Sequence, residues 1–189
     1  MKKEDCKLVS QLLTHGRHYA EKYLREAGHL PPAFFGITAK NLITLLPRKF
    51  EDAEDKAEFM LFVRLLGIAH ELTAAALVAE VWSVEASADE LPGTPPSESL
   101  HRKECVMVSC EIPAGTKQPV LFPIIRTDAG TFFGLGKPEF ADPGSTRGRL
   151  SQFFPDRQPT KADREQARRL LQTMTATVKK HAARARRRL

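Results

Sequence analysis

Cysteine is scarce in this chain of 189 residues, which contains only Cys6, Cys105 and Cys110. Three thiols cannot all pair, and a chain of this length buries enough apolar surface to fold without a disulfide framework. Cys105 and Cys110 are five residues apart in a segment with strand character, so we expect their side chains on opposite faces of that strand. The cysteines therefore predict neither a local disulfide nor a shared metal site, and free thiols are typical of a reducing compartment.

Long apolar runs are also lacking. No stretch of the sequence approaches the ~18–20 apolar residues that are needed to span a bilayer. The charged segment Met1–Asp5 is followed by an amphipathic pattern rather than by the apolar core of a signal peptide. From these features we expect a cytoplasmic protein that does not insert into a membrane.

The sequence contains no complete motif for a familiar chemistry. The Gly130–Lys137 segment is one residue too long for a phosphate-binding loop, and Pro138 stands where a serine or threonine would bind magnesium. Neither a dinucleotide-binding glycine motif nor a serine-hydrolase nucleophile motif is present. His15 and His18 lie one helical turn apart with Glu21 as a candidate third metal ligand, an arrangement more typical of ordinary helix surface. We therefore expect no cofactor and no bound metal, and a non-enzyme rather than an enzyme.

Hydrophobic periodicity predicts the fold class. Apolar residues recur every three to four positions over 4–27 and 52–72, which predicts two helices. The segments with strand character are 33–38, 42–46, 73–84, 104–112, 120–127 and 131–135. Because short loops join neighbouring strands, most of the pairs should be antiparallel. We expect an α+β fold of order α-β-β-α-β-β-β-α, in which a mostly antiparallel five-stranded sheet packs with helices and a basic helix ends the chain.

Composition divides the chain into three parts. Residues 1–140 predict the α+β core domain, and residues 141–159 predict an irregular linker. Residues 160–189 predict a basic amphipathic helix that docks on the core, with Thr160 and Asp163 forming a capping box at its start. Three phenylalanines are expected to attach the linker region to the core: Phe140, Phe153 and Phe154.

Positive charge is concentrated at the end of the chain. The net charge is +6, but residues 161–189 contain ten Lys and Arg against two acids, while the other 160 residues carry a net charge of −2. A partner that is attracted by charge should therefore meet the C-terminal segment.

The final helix has one apolar face and one basic face. The apolar face is formed by Ala167, Leu170, Leu171, Met174, Val178, His181 and Ala185. The basic residues expected to contact a nucleic acid or a nucleoprotein are Lys161, Arg164, Arg168, Arg169, Lys179, Lys180, Arg184, Arg186 and Arg187. Three interpretations stay open: a solvated helix face, contact with nucleic acid or nucleoprotein, and contact with an acidic protein or an anionic membrane. The absence of Trp and Phe from the apolar face weighs against the membrane.

The leading hypothesis is a non-enzymatic interaction module, whose core binds a protein partner or a second copy and whose last helix contacts nucleic acid. A structural assembly subunit is a second alternative. The enzymatic alternative is a small hydrolase or transferase with a pocket around Glu80, Trp82, His101 and Glu104. Glu80 shares a strand face with apolar residues, where desolvation would raise its pKa and suit it to acid–base chemistry. The competing interpretation is that the strand edge is reached at Glu80, or that Arg102 or Arg126 pairs with it.

Overall fold

The computed structural model describes residues 2–47, 52–84, 99, 102–113, 117–141, 152–155 and 157–186, with side chains described as far as residue 175. Across these residues it is an α+β fold, as the sequence predicts. Among the described residues, no helix is long and apolar enough to cross a membrane.

Three helices are described: α1 (Lys3–Ala27), α2 (Ala53–His70) and α3 (Lys161–Arg186). Helix α1 ends because Gly28 adopts a left-handed conformation (φ 73°), and its backbone N–H donates to the Leu24 carbonyl. Asp52 caps the N-terminus of helix α2, because its carboxylate accepts hydrogen bonds from the backbone amides of Glu54 and Asp55.

Within the described residues the sheet has seven strands: β1 (Ala33–Ile37), β2 (Leu42–Leu45), β3 (Ala74–Val84), β4 (Arg102–Glu111), β5 (Lys117–Arg126), β6 (Phe132–Leu135) and β7 (Glu139–Phe140). Their order is β2-β1-β3-β4-β5-β6, with β7 also paired to β5, and the pairs are antiparallel. The predicted count of five strands is wrong. The segments with strand character already number six, all six are strands, and β7 is too short to leave a periodic signal.

The helices cover the two faces of the sheet. Leu12 and Leu24 of α1 belong to one core cluster with Val78 and Val108. Helices α2 and α3 belong to the other cluster, which contains Leu77. Since neighbouring residues of a strand point to opposite faces, β3 is buried on both sides over Ala74–Val78, as its sequence predicts.

Candidate functional site

The first turn of helix α3 is fixed by reciprocal hydrogen bonds. The Thr160 hydroxyl accepts from the Asp163 amide at 3.2 Å, and the Asp163 carboxylate accepts from the Thr160 amide and hydroxyl, each at 2.8 Å. This is the capping box that the sequence predicts. Arg157 adds a two-pronged ion pair to the same carboxylate, at 2.8 and 3.1 Å. The Arg157 guanidinium, together with the Thr160 donors, holds the pKa of Asp163 far below its usual range.

Helix α3 docks on helix α2 through a narrow apolar stripe. Ala167 and Leu171 are buried in the cluster shared with α2, and Met174 packs against it. Leu170, which the helical wheel places on the same apolar face, is 44% exposed. The side chains of Val178, His181 and Ala185 lie outside the described residues, so the docked part of the helix is defined as far as Thr175.

Two of the predicted nucleic-acid-binding arginines are engaged by helix α2. Arg164 forms an ion pair with Glu71, and Arg168 Nε donates to the Ala69 carbonyl at 3.3 Å. Both partners lie at the C-terminal end of α2, where the helix dipole favours cations. These two arginines therefore hold α3 against α2.

The remaining predicted basic residues divide into two groups. Lys161 and Arg169 are exposed on the docked part of α3. The side chains of the other five lie outside the described residues: Lys179, Lys180, Arg184, Arg186 and Arg187.

The segment before α3 is anchored by a buried glutamate that sequence reasoning missed. Glu111, at the end of β4, is 4% exposed, and its two carboxylate oxygens accept the Phe153 amide at 3.2 Å and the Phe154 amide at 3.3 Å. Phe153 and Phe154 are buried, as predicted for the linker. Phe140 is 70% exposed and does not attach the linker to the core, which corrects the prediction for that residue. A polar residue at a strand end gives no signal of such a role in the sequence.

The substitution Glu111→Gln is expected to lower the free energy of unfolding by about 2 kcal/mol. The glutamine side chain has one acceptor oxygen, whereas the buried N–H groups of Phe153 and Phe154 each bind a separate carboxylate oxygen in the native chain. Urea denaturation measures the change. Glu139→Gln, at an exposed position of β7, is the matched control and should change stability by less than about 0.5 kcal/mol. Equal effects of the two substitutions would contradict the anchoring role of Glu111.

The candidate catalytic residues lie on the sheet face that α1 covers. Trp82 is opposite Glu104 in the β3–β4 register, and Glu80 is two residues before Trp82 on the same face. Arg126 binds Glu104 through two hydrogen bonds of 2.7 and 2.9 Å. The Arg102 guanidinium lies over the Trp82 ring, 4.8 Å from its centroid. The structure thus brings Glu80, Trp82 and Glu104 together, whereas the fourth predicted residue, His101, lies outside the described residues.

The two glutamates carry opposite perturbations. Partial burial and the neighbouring carboxyl group of Glu104 raise the pKa of Glu80, although Glu80 as a whole residue is exposed. The hydrogen bonds from Arg126 lower the pKa of Glu104.

Cavities of about 210 and 300 Å³ occur beside the start of α3, where Ile68, Pro155 and Arg157 line both. They are on the other face of the sheet, so the carboxyl pair has the form of an ion-paired surface network.

The described residues contain no group of three or more His, Cys, Asp or Glu side chains that could hold a metal ion. Burial raises the pKa of the Cys105 thiol to about 11 and that of Cys110 to about 12, and Cys6 is exposed.

Comparisons with protein-family models, curated proteins and solved structures find no match to this chain. Function is therefore inferred from the charge and geometry of the chain itself.

Proposed function

We propose that the protein is a non-enzymatic interaction module whose basic C-terminal helix binds the phosphate backbone of a nucleic acid, free or within a nucleoprotein. The observation that carries this proposal is the separation of charge. Residues 161–189 have a net charge of +8, while the remainder of the chain has a net charge of −2. A phosphate polyanion would be drawn to the end of the chain and not to the core.

The ion pairs of α3 narrow the set of candidate contacts. In residues 161–175 four basic residues stand beside two acids, and Arg164 and Arg168 are bound by groups of α2. Residues 176–189 contain six Lys and Arg and no acid. The proposal therefore assigns phosphate contact mainly to Lys179, Lys180, Arg184, Arg186 and Arg187, with Lys161 and Arg169 as exposed flanking cations. Arg164 and Arg168 are assigned to positioning the helix.

The density of positive charge in this segment suits contact with the phosphate backbone. Each phosphate neutralised by a Lys or Arg releases condensed counterions, which makes the affinity fall with salt. Asparagine and glutamine, which read adenine through two hydrogen bonds, are absent from residues 173–189, so any base readout there is left to the lysines and arginines, which contact guanine.

The core offers apolar surface for a protein partner or a second copy. Phe133 is 71% exposed on β6, and Phe140 is 70% exposed on β7. Ile125 of β5 is 44% exposed and pairs with Gly134, the residue that follows Phe133 in β6. Exposed large apolar residues at the outer strands of a sheet are typical of protein-binding surfaces. They support the interaction-module proposal and its alternative as a subunit of an assembly.

Removing residues 176–189 is expected to weaken binding to a labelled duplex DNA at least about tenfold at moderate salt, because five phosphate contacts are lost. Fluorescence anisotropy at several salt concentrations measures the affinity. For the full chain, a plot of log affinity against log salt should have a slope of about −4.5, which is about −0.9 for each of the five phosphate contacts. A single-stranded RNA probe, measured in parallel, distinguishes the kind of nucleic acid.

The control is the double variant Lys22→Gln/Arg25→Gln, which removes two exposed positive charges from α1. Because these charges lie outside α3, the affinity should fall by much less than in the truncated chain. Equal affinities of the full and truncated chains for the duplex would contradict the proposal.

A further inference from the structure

The two edges of the sheet differ in chemistry. One edge is formed by β6 and β7, which both pair with β5, and between them lie the exposed charge of Lys137 and Pro138, which has no backbone N–H. The other edge is β2, which contains no charged residue, no glycine and no proline. Among the described residues, no strand pairs with the outer side of β2. Of the two edges, β2 is therefore the one that can accept a further strand.

The turn between β1 and β2 identifies the backbone groups that β2 offers to such a strand. The Thr38 amide donates to the Asn41 carbonyl at 2.9 Å, so these two residues are a hydrogen-bonded pair of the antiparallel ladder. Hydrogen-bonded and non-hydrogen-bonded pairs alternate along such a ladder. Leu42 and Thr44 are therefore in non-hydrogen-bonded pairs with β1, and their N–H and C=O groups point away from it. The same alternation applies to Leu46, directly after β2.

The side chains of these same residues are exposed. Leu42 is 44% exposed and Leu46 is 54% exposed, and Thr44 between them is also exposed. Ile43 and Leu45 point to the opposite face of the sheet, where they pack against the buried cluster of α2 and α3. This packing fixes the strand, so its outward backbone groups and its exposed side chains are held in a defined position.

We propose that β2 pairs with β2 of a second copy of the chain, antiparallel and across a two-fold axis at Thr44, so that one sheet continues through a dimer. In this arrangement Thr44 lies opposite Thr44 of the second copy, and Leu42 lies opposite Leu46 of the second copy. Every outward N–H of these three residues then has a carbonyl partner, and the exposed leucines form cross-strand apolar pairs.

The segment 42–46 fits itself, which identifies a second copy as the occupant. Its sequence is Leu-Ile-Thr-Leu-Leu, and reversal about the central threonine places an apolar residue opposite an apolar residue at every other position. Because each copy has one edge of this kind, the pairing closes as a two-fold dimer. Both ends of the joined sheet are then the edge with Lys137 and Pro138, which disfavours the addition of further strands.

This inference rests on the proposed interaction module, whose core binds a protein partner or a second copy, but it does not depend on nucleic-acid binding. Sedimentation velocity of the full chain without nucleic acid tests it separately, and the fraction of dimer should rise with protein concentration. Because the paired strands carry no charge, about 1 M salt should not weaken the dimer. Association through the basic C-terminal helix would weaken under the same conditions.

Charge substitutions at the two-fold axis test the pairing itself. Thr44→Lys and Thr44→Glu each place two like charges opposite each other, so each should raise the dissociation constant of the dimer about fivefold or more. An equal mixture of the two variants pairs a lysine with a glutamate and should restore the dimer, which also shows that both variants are folded. Thr44→Pro, which removes the N–H groups of the central pair, should raise the dissociation constant at least about tenfold.

Phe133→Lys is the matched control, because it places the same charge at an exposed position of the opposite edge, and it should leave the dimer unchanged. A native chain that stays monomeric up to about 0.5 mM, or a dimer that persists in Thr44→Lys, would overturn the proposed pairing. A dimer that is lost in Phe133→Lys would do the same.

Discussion

Truncation of Phe153 to alanine is expected to lower the free energy of unfolding by about 4 kcal/mol. Phe153 is 1% exposed, and its ring meets the Phe34 ring edge to face at a centroid distance of 5.6 Å. It belongs to the same buried cluster as Ala167 and Leu171 of α3. The substitution removes an aromatic ring from a closely packed site and leaves a cavity that the strands and helices cannot easily close.

Thermal and urea unfolding of the variant measure this loss. Phe133→Ala is the matched control, because it removes the same side chain from a position that is 71% exposed, and its cost should stay below about 1 kcal/mol. If the two alanine variants had similar stability, Phe153 would not be a principal contact of this core. The start of α3 should loosen in Phe153→Ala and not in Phe133→Ala, which hydrogen exchange of the α3 amides can report.

Local patterns in the sequence predicted those parts of the fold that local chemistry determines. The predicted strand segments 33–38 and 42–46 form the antiparallel pair β1 and β2, because two short apolar runs joined by a tight polar turn have few other ways to pair. The capping box of Thr160 and Asp163 was also confirmed, since its donors and acceptors are three residues apart. In both cases the interacting groups are neighbours in the chain.

Long-range pairings were harder to predict. One interpretation of Glu80 was that Arg102 or Arg126 pairs with it, but Arg126 binds Glu104 and Arg102 lies over Trp82. The choice depends on the register between β4 and β5, which periodicity alone does not specify. Glu111 was missed for the same reason, because its partners are 42 and 43 residues away.

The basic residues of α3 show what composition alone can predict about an interaction surface. The sequence identified the basic residues but could not separate those engaged within the chain from the others. Arg164 meets Glu71 across 93 residues, and the antiparallel packing of α2 and α3 that brings them together depends on Ala167 and Leu171. Tertiary packing therefore decides which cations of an amphipathic helix have intramolecular partners.

Helix α1 packs tightly on the sheet at Gly16, which is buried. A Cβ atom at this position would lie 2.9 Å from Val78 Cγ2 and 3.0 Å from Val108 Cγ1. These methyl groups belong to β-branched side chains in the middle of the sheet, and both valines are fully buried. Because such side chains have little rotamer freedom, the neighbours of Gly16 cannot move aside without shifting a strand or the helix.

Gly16→Leu is therefore expected to lower the free energy of unfolding by about 3 kcal/mol, since overpacking outweighs the gain of about 1 kcal/mol in helix propensity. Urea denaturation provides the measurement, and Thr14→Leu adds an apolar side chain at an exposed position of α1 as the control. The control should lie within about 0.5 kcal/mol of the native chain.

A double variant tests the contact itself. When Gly16→Ala is combined with Val78→Ala, the loss in free energy of unfolding should be smaller than the sum of the two single losses, because the alanine Cβ at position 16 would occupy the space left by the valine methyl groups. Strictly additive effects would mean that α1 does not meet β3 at Gly16.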